Sequence, residues 1–498
     1  MKKLDMKIVL PALLFLLIAA AGCKKFVDIA PPTNSITTTT LFANDVQANS
    51  AMAGIYSTLV VGANKQQTWS NGLLTLNTGL SSDELASSHL SASTGLSPFE
   101  SAKLTSIDGM ADGAFWAPMF KMVDNANAII EGATASATLA DSARTEIVAE
   151  SKFIRSFCFF YLTNLFGDIP IPLTSDFNKI ALLARTPQAD VYKQIIKDLI
   201  DARDSLPSNF NRGHGERIIP NKAAATALLA RAYLYTKDWK DAEAQATLLI
   251  SDTAFSLVND LTQVFLKNSR ETIWSLQPSP AVYPYSAYDV SNFVPYLSWT
   301  SFAGNPVYLI PSVYNSIAFF VIPTYYLYKT TGNAFEQDDR RKANWTGYAA
   351  TPNSAPFTGD TIFYSTKYPV RPSAGSITQY YMVLRLAEQY LIRAEAKAED
   401  GDLTGAAADL NTIRSRAGLP PATATSQSDL LAAVMQERRV ELFTEWGHRF
   451  FDLKRTGQAN TVIGAIPTKQ PWQGTQLLYP IPFNEIKTDP NLVQNPGY

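Results

Sequence analysis

Cysteine and histidine are nearly absent from this sequence. The chain has two cysteines, Cys23 and Cys158, and three widely separated histidines, His89, His214 and His448. At most one disulfide could form, so a densely cross-linked scaffold is excluded and the core must hold the fold. The HExxH motif and paired-cysteine spacings of zinc sites are missing, as are a Walker loop and a GxGxxG turn. Neither a metal nor a cofactor is expected. Excess charge of one sign is lacking too: 42 Lys and Arg stand against 44 Asp and Glu, a net charge of −2, with no basic stripe. Nucleic acid is excluded as a partner on that ground. Past Cys23 no apolar run approaches the length of a membrane span. What is present is 46 % hydrophobic and 17 % charged residues, the balance of a globular chain that can bury a sizeable core.

The one long apolar run, from Ile8 to Ala21, has 14 residues and follows Lys2, Lys3 and Lys7. As a helix it would span about 21 Å, against a hydrocarbon core of about 30 Å. A charged head, a short apolar stretch and small residues before a cut read as a secretory signal over residues 1–22. Gly22 directly before Cys23 resembles the lipobox of bacterial lipoproteins, although Ala20 stands where leucine is usual. Under that reading Cys23 is acylated, and KKFVDIAPPTNSITTTT (residues 24–40) is an extended tether. An ordinary signal peptide with an incidental cysteine is the other reading. Cys158 falls on an expected buried helix face, where a thiol acts as a small hydrophobe.

From Leu41 the periodicity is helical. Val123, Ala126, Asn127 and Ile130 share a face. In EIVAESKFIRSFCFFYLTNLFG (residues 146–167) the apolar positions Ile147, Ile154, Phe157, Cys158, Tyr161, Leu162 and Leu165 form an amphipathic stripe, with Gly167 as the stop. Residues 186–207 read as a further helix bounded by prolines. Two helix pairs follow, NKAAATALLARAYLYTKDWKDAEAQATLLIS (residues 221–251) and LRLAEQYLIRAEAKAEDGDLTGAAADLNTIRSRAGL (residues 384–419). Each has an Ala-rich helix, a tight turn with Asp, a large apolar residue and then Ala: Asp238, Trp239 and Ala242, and Asp402, Leu403 and Ala406 after Gly401. This resembles the tetratricopeptide unit. The pairs stand 164 residues apart, so a simple tandem array is not indicated, and two unrelated hairpins are the alternative.

Between the pairs the character changes. Residues 274–328 hold 15 aromatic residues and seven prolines in 55 positions, with few charges and no sustained period. A long irregular insertion of this kind is usually functional. A second loop-like stretch, residues 61–99, is rich in Ser, Thr, Asn and Gly. These two segments are the candidate binding surface.

The C-terminal third carries the most specific motifs. AAVMQERRVELFTEWGHRFFDLKRTGQ (residues 432–458) and LYPIPFNEIKTDPNLVQNPGY (residues 478–498) resemble the closing motifs of the SusD/RagB family of outer-membrane nutrient-binding lipoproteins of the Bacteroidetes. The matching residues include Glu437, Arg438, Arg439, Glu441, Gly447, Arg449, Asp452 and Arg455, then Pro480, Pro482, Asn491, Gln494, Asn495 and Tyr498. Cys23, Phe26, Asp28 and Pro31 fit the family's start. FIRSFCFFYLTNLFGDIPI (residues 153–171) fits its Arg-x-x-x-Tyr-x-x-Leu…Gly-Asp-Ile-Pro segment, with Phe159 ahead of Phe160-Tyr161. The resemblance implies a mainly α-helical body over residues 41–498, with four tetratricopeptide-like helix pairs, long irregular aromatic-rich loops and little strand. Its parts would be a helical part at 41–260, the aromatic insertion at 261–380 and a closing part at 381–498. It also implies a lipid-anchored protein outside the outer membrane that binds a glycan, or sometimes a peptide, and hands it to a SusC-type TonB-dependent transporter without catalysis.

Sugar recognition needs flat rings for the apolar pyranose face and planar polar groups for its hydroxyls. Candidates are Tyr283, Tyr285, Tyr288, Tyr296 and Trp299 in the insertion, and Trp69, Asn71, Asp83 and His89 in the earlier segment. Core packing is the alternative for each ring. Asp83 and Glu84 in SSDEL also read as an acidic pair opening a helix after a Ser cap. Glu437, Glu441 and Glu445 recur at i, i+4 and i+8 and would repel. An interior network neutralised by Arg438, Arg449 or Arg455 is expected. A surface glycoside hydrolase remains open as a second reading, with Asp289 and Asp338 as an example of the two carboxyls it needs. A purely structural scaffold is a third.

Overall fold

The computed structural model describes residues 41–62, 66–88, 96–279, 286–295, 323–351, 359–369 and 377–498. Cys23 and the tether, His89, Tyr283, Tyr285, Tyr296 and Trp299 lie outside the described residues. The longer described helices are α1 (Asp45–Val60), α2 (Leu74–Ser81), α3 (Ala117–Ala135), α4 (Asp141–Phe166), α5 (Gln188–Ser205), α6 (Lys222–Thr236), α7 (Trp239–Ile250), α8 (Leu386–Glu399), α9 (Leu403–Arg416), α10 (Gln427–Glu441) and α11 (His448–Arg455). Six short strands accompany them: β1 (Leu85–Ser87), β2 (Thr272–Leu276), β3 (Tyr325–Leu327), β4 (Thr346–Ala350), β5 (Thr361–Ser365) and β6 (Tyr381–Arg385). None of the described helices is long and apolar enough to cross a membrane.

Local sequence explains the helix ends. Asn221 caps α6, Asp238 caps α7, Asp402 caps α9 and Ser426 caps α10, each side chain accepting a backbone N–H two or three residues into the helix. Gly167 ends α4 at φ 77°, and Gly401 between α8 and α9 sits at φ 89°, conformations that cost glycine little.

The two Ala-rich pairs are the hairpins α6/α7 and α8/α9, and their small residues bring the helices close: Ala242 and Ala406 are fully buried. Separation in sequence does not separate them in space. Helix α7 packs directly on α8, so residues 251–385 leave the stack and return to it. From α3 to α10 each helix packs on its predecessor, giving the eight helices that four pairs require. Strands β2 and β6 pair antiparallel at the base of the insertion, and β6 runs straight into α8 through Arg385. The other strands form an antiparallel sheet in the order β1-β3-β5-β4.

Helix α4 is buried more completely than its stripe implied. From Phe153 to Phe166 every residue is covered, because α3 and α5 flank it and the aromatic residues Trp69, Trp274, Trp446 and Tyr479 close the remaining sides. A helix apolar all round belongs inside a protein. The one cation of this covered stretch, Arg155, is held by both oxygens of Asp198 on α5, each at 2.8 Å, and by Asn127 of α3 at 2.7 Å. The C-terminal motif seals the end of this helix. Tyr479 donates its N–H to Leu165 O at 2.8 Å, and Asn495 donates its amide to Phe166 O at 2.8 Å and Tyr479 O at 2.7 Å.

Two local expectations are corrected. SSDEL does not open a helix: α2 ends at Ser81, and Ser82 N–H closes it on Thr78 O before β1 begins at Leu85. Glu437 and Glu441 lie on α10, but the helix ends there and Glu445 sits in the following turn. All three carboxylates join an interior network, with different partners from those expected. Glu441 accepts from Arg385 at 2.6 Å, from Arg341 at 3.0 Å and from Arg416. Glu437 pairs with Arg341 at 2.6 Å and Arg414 at 3.3 Å, and Glu445 with Arg385 at 2.7 Å and Lys367 at 2.5 Å. Arg385 and Arg416 also share Glu271 at the head of β2. Arg438 and Arg455 instead hold Asp452, and Arg455 also holds Glu395.

Burial by itself would raise the Glu441 carboxyl, but Arg416, Arg385 and Arg341 outweigh it and hold the group well below the ordinary carboxylate range. A depressed folded-state value contributes stability that is complete above the unfolded value near 4.5 and is lost as pH falls through the lower one. Glu441→Gln leaves three buried guanidiniums short of one countercharge. A loss of about 3–5 kcal/mol in denaturant unfolding at neutral pH is expected, narrowing as the parent is taken below about pH 4. A loss under about 1 kcal/mol at neutral pH would mean that this carboxylate is dispensable.

Candidate functional site

Residues of both candidate segments meet at one open cleft of about 860 Å³. Its walls are Gln67, Leu73, the helix α2 face carrying Leu76 and Asn77, the end of β1 at Ser87 and Ser88, Ser97 to Phe99, Asn292, and the start of β3 at Thr324 and Tyr325. Among the described residues, three of these keep a buried polar atom with no hydrogen-bond partner: Gln67 Nε2, Ser88 Oγ and Asn292 Nδ2. A buried group left unsatisfied costs about 1–3 kcal/mol. Three bordering one cleft mark a surface built to meet the hydroxyls of a ligand or ordered water.

The cleft is assembled by backbone geometry that only some residues permit. Residues Trp69–Leu73 form a wide turn kinked at Gly72, which has φ 107°. A Cβ there would stand 2.3 Å from Gln67 Nε2 and 3.1 Å from Tyr288 Cβ, so glycine is what lets these two groups approach. Asn71 joins the turn to the insertion. Its amide donates to Val60 O at 3.0 Å, and its oxygen accepts Tyr288 N–H at 3.4 Å. Tyr288 precedes the short helix Asp289–Phe293, which presents Asn292.

Beneath the cleft, Asp83 is a clamp. Its carboxylate accepts from Arg449 at 2.7 and 3.0 Å, from Arg439 at 2.7 Å and from the Thr330 hydroxyl at 3.1 Å. Burial raises this carboxyl, but the Arg449 hydrogen bond and the Arg449 and Arg439 charges prevail, so it lies below its ordinary value. Thr331 donates its hydroxyl to Asp83 O at 2.8 Å, and Tyr328 N–H bonds Glu84 O at 2.8 Å. The roots of β1 and β3 are thus bolted together, and to α10 and α11, at one carboxylate.

The structure sorts the sequence candidates accordingly. Trp69 is 2 % exposed, with its ring centroid 5.4 Å from that of Phe157 and 6.0 Å from that of Tyr161. It packs the core and presents no face to a ligand. Asn71 and Asp83 are buried and committed to the bonds above, so they position the site rather than line it. Tyr288 is half-buried behind the lining. His89, Tyr283, Tyr285, Tyr296 and Trp299 lie outside the described residues. Gln67 and Ser88 fall inside the Ser- and Asn-rich segment, but nothing in the sequence distinguished them from their neighbours. Asn292 carried no signal beyond its region. Among the described residues no three His, Cys, Asp or Glu side chains gather as a metal-holding group. Of the two carboxyls raised as a hydrolytic pair, Asp289 is buried and Asp338 is exposed, and neither lines the cleft.

A stacked-helix scaffold whose irregular insertions build a polar cleft defines a class of ligand-binding protein. The comparisons narrow it. The model described as the SusD family matches residues 311–498, and the one described as "Starch-binding associating with outer membrane" matches residues 25–234. SusD-like protein P2 of Formosa agariphila is 28% identical over 426 residues, covering 77% of this chain and 80% of the relative. SusD-like protein P25 of the same organism is 24% identical, covering 97% and 98%. Among solved structures, a SusD-like protein from Bacteroides fragilis superposes with TM-score 0.74 at 21% identity, covering 92% and 98%. A laminarin-binding SusD-like protein superposes with TM-score 0.74 at 22% identity, covering 92% and 100%. The chain belongs to the SusD/RagB family.

Asp83→Asn removes the countercharge shared by Arg439 and Arg449. We expect a stability loss of about 3–5 kcal/mol at neutral pH. The parent protein should lose the same increment only as pH falls below about 4, because the Asp83 carboxyl is depressed in the fold. A flat pH profile between about 5 and 2.5 for the difference between the two proteins would contradict the clamp.

Proposed function

We propose that this protein captures an oligosaccharide at the cell surface and delivers it to a TonB-dependent outer-membrane transporter of the SusC type. The observation that carries the capture half is the cleft: uncharged polar groups left unpartnered, between two loop segments rich in rings and hydroxyl side chains. Membership in a family whose models describe starch binding and outer-membrane association supports it, as does the likeness to a laminarin-binding protein. In this reading Cys23 is the lipid anchor, and residues 24–40 carry the body outside the outer membrane. Binding is favoured over hydrolysis because the described lining holds no carboxylate, and a glycosidase of the usual kind needs two.

The delivery half is supported by a second surface. Among the exposed large apolar side chains are Phe177 and Leu182, and the segment that carries them is tied to the C-terminal segment by Asn491, which donates its amide to Leu182 O at 2.9 Å. Phe177 and Leu182 line an apolar cleft of about 760 Å³ together with Trp116, Phe120 and Leu492. At its rim Glu485 is raised by burial and then by the neighbouring charges of Asp112 and Asp489. None of these three acids has a cation within salt-bridge distance among the described residues. The face suits a partner segment with an apolar anchor flanked by Lys or Arg, which we assign to the transporter.

The capture half is tested by titrating the full chain, purified in detergent, against plant, fungal and host glycans while following reducing-end release for hours. Binding without release is the expected result, with Gln67→Ala and Asn292→Ala each weakening it about tenfold. Steady release would make the protein a hydrolase. For the delivery half, a photo-cross-linking residue at Phe177 or Leu182 should capture an outer-membrane β-barrel in cells, and one at Leu248 should not. Cross-links only to a second copy or to lipid would remove the transporter from this face.

A further inference from the structure

We infer that the ligand of the 860 Å³ cleft is an uncharged glycan, and that sulfated and uronate-bearing glycans are excluded from it. This rests on the capture reading above and specifies its substrate class. Among the described residues, no lining residue of the cleft is Asp, Glu, Lys or Arg; the polar groups there are the amides of Gln67, Asn77 and Asn292 and the hydroxyls of serine, threonine and Tyr325.

Three nearby carboxylates are turned away from the cleft or buried. Glu100 is turned onto Ser87, accepting its N–H at 3.0 Å and its hydroxyl at 2.6 Å. Asp83 is locked by two arginines, and Asp289 is buried at the start of the short helix that carries Asn292. Arg439 and Arg449 are spent on Asp83. The pattern continues along the chain in both directions from the rim. Residues 290–328 contain no Asp, Glu, Lys or Arg in 39 positions, and residues 85–99 contain none either, with His89 as the single titratable group. Upstream of Gln67 the nearest charge is Lys65.

Amides and hydroxyls satisfy sugar hydroxyls without distinguishing a charge, but they cannot repay the dehydration of a sulfate or carboxylate. A protein that takes anionic glycans needs guanidinium or ammonium groups at the site, because those make the strong bidentate contacts. This cleft has none among its described residues. A charged glycan should therefore bind about a hundredfold or more weakly than its neutral counterpart. Affinity for the neutral one should be almost insensitive to salt, since no ion pair is there to screen.

The test uses matched pairs on the full chain in detergent: neutral β-glucan, mannan, galactan, xylan and starch beside their sulfated or carboxylated forms, measured by calorimetry between about 50 and about 500 mM NaCl. The expected result is a neutral member that binds, with affinity changing less than about threefold over that range, and a charged form that does not. Binding confined to charged forms, weakening steeply with salt, overturns this inference and leaves the capture reading standing. No binding by any member overturns the capture reading and this inference with it.

Discussion

The structure depends on a set of carboxylates buried among arginines. Glu441 closes α10 and is held by Arg341, Arg385 and Arg416, which come from the insertion, the end of β6 and the end of α9. Three parts of the chain that share no local sequence logic are thereby pinned to one side chain. Removing charges from water is expensive, and a network of this kind is tolerable only when every partner is present. Its consequence is specificity of assembly. The insertion can return to the helix stack in one way, because any other return leaves an arginine unpaired in the core.

Asp83 repeats this logic nearer the cleft. It lies between α2 and β1, yet its partners Arg439 and Arg449 belong to the C-terminal motif. Family motif and candidate site are therefore one mechanical unit. The motif residues do not line the cleft, but they set the spacing of β1 and β3, the two strands from which the cleft's rims depart. The site itself is left underdetermined in hydrogen bonding, with Gln67, Ser88 and Asn292 unpartnered, while the ground beneath it is overdetermined. A rigid floor with unsatisfied walls suits reversible capture, since the ligand finds its contacts without ordering the protein first.

Much of the scaffold was legible in the sequence. The stop of α4 at Gly167 and the hairpins around Asp238 and Gly401 appear where local patterns put them. The interior acid network was legible in kind, because three carboxylates spaced along one helix demand cations. Its partners were not. Arg438, Arg449 and Arg455 were closer in sequence, but the helix ends at Glu441 and turns them toward Asp452, Asp83 and Glu395. Trp69 shows the opposite error. Its setting among Ser and Asn reads as a loop ring, yet the kinked turn at Gly72 swings it inward onto Phe157.

By itself the sequence determined what depends on near neighbours: helix periodicity, caps, turns, and a long stretch without charge between the helix pairs. It also carried motifs specific enough to place the chain in its family. Only the tertiary structure decided which distant arginine meets which carboxylate, that α7 stacks on α8 across the insertion, and which polar groups at the cleft are left without partners. The reason is physical. Periodicity is written in residues three and four apart, whereas pairing and burial depend on groups tens or hundreds of residues away. Several chemically equivalent side chains compete for each of those places until packing chooses among them.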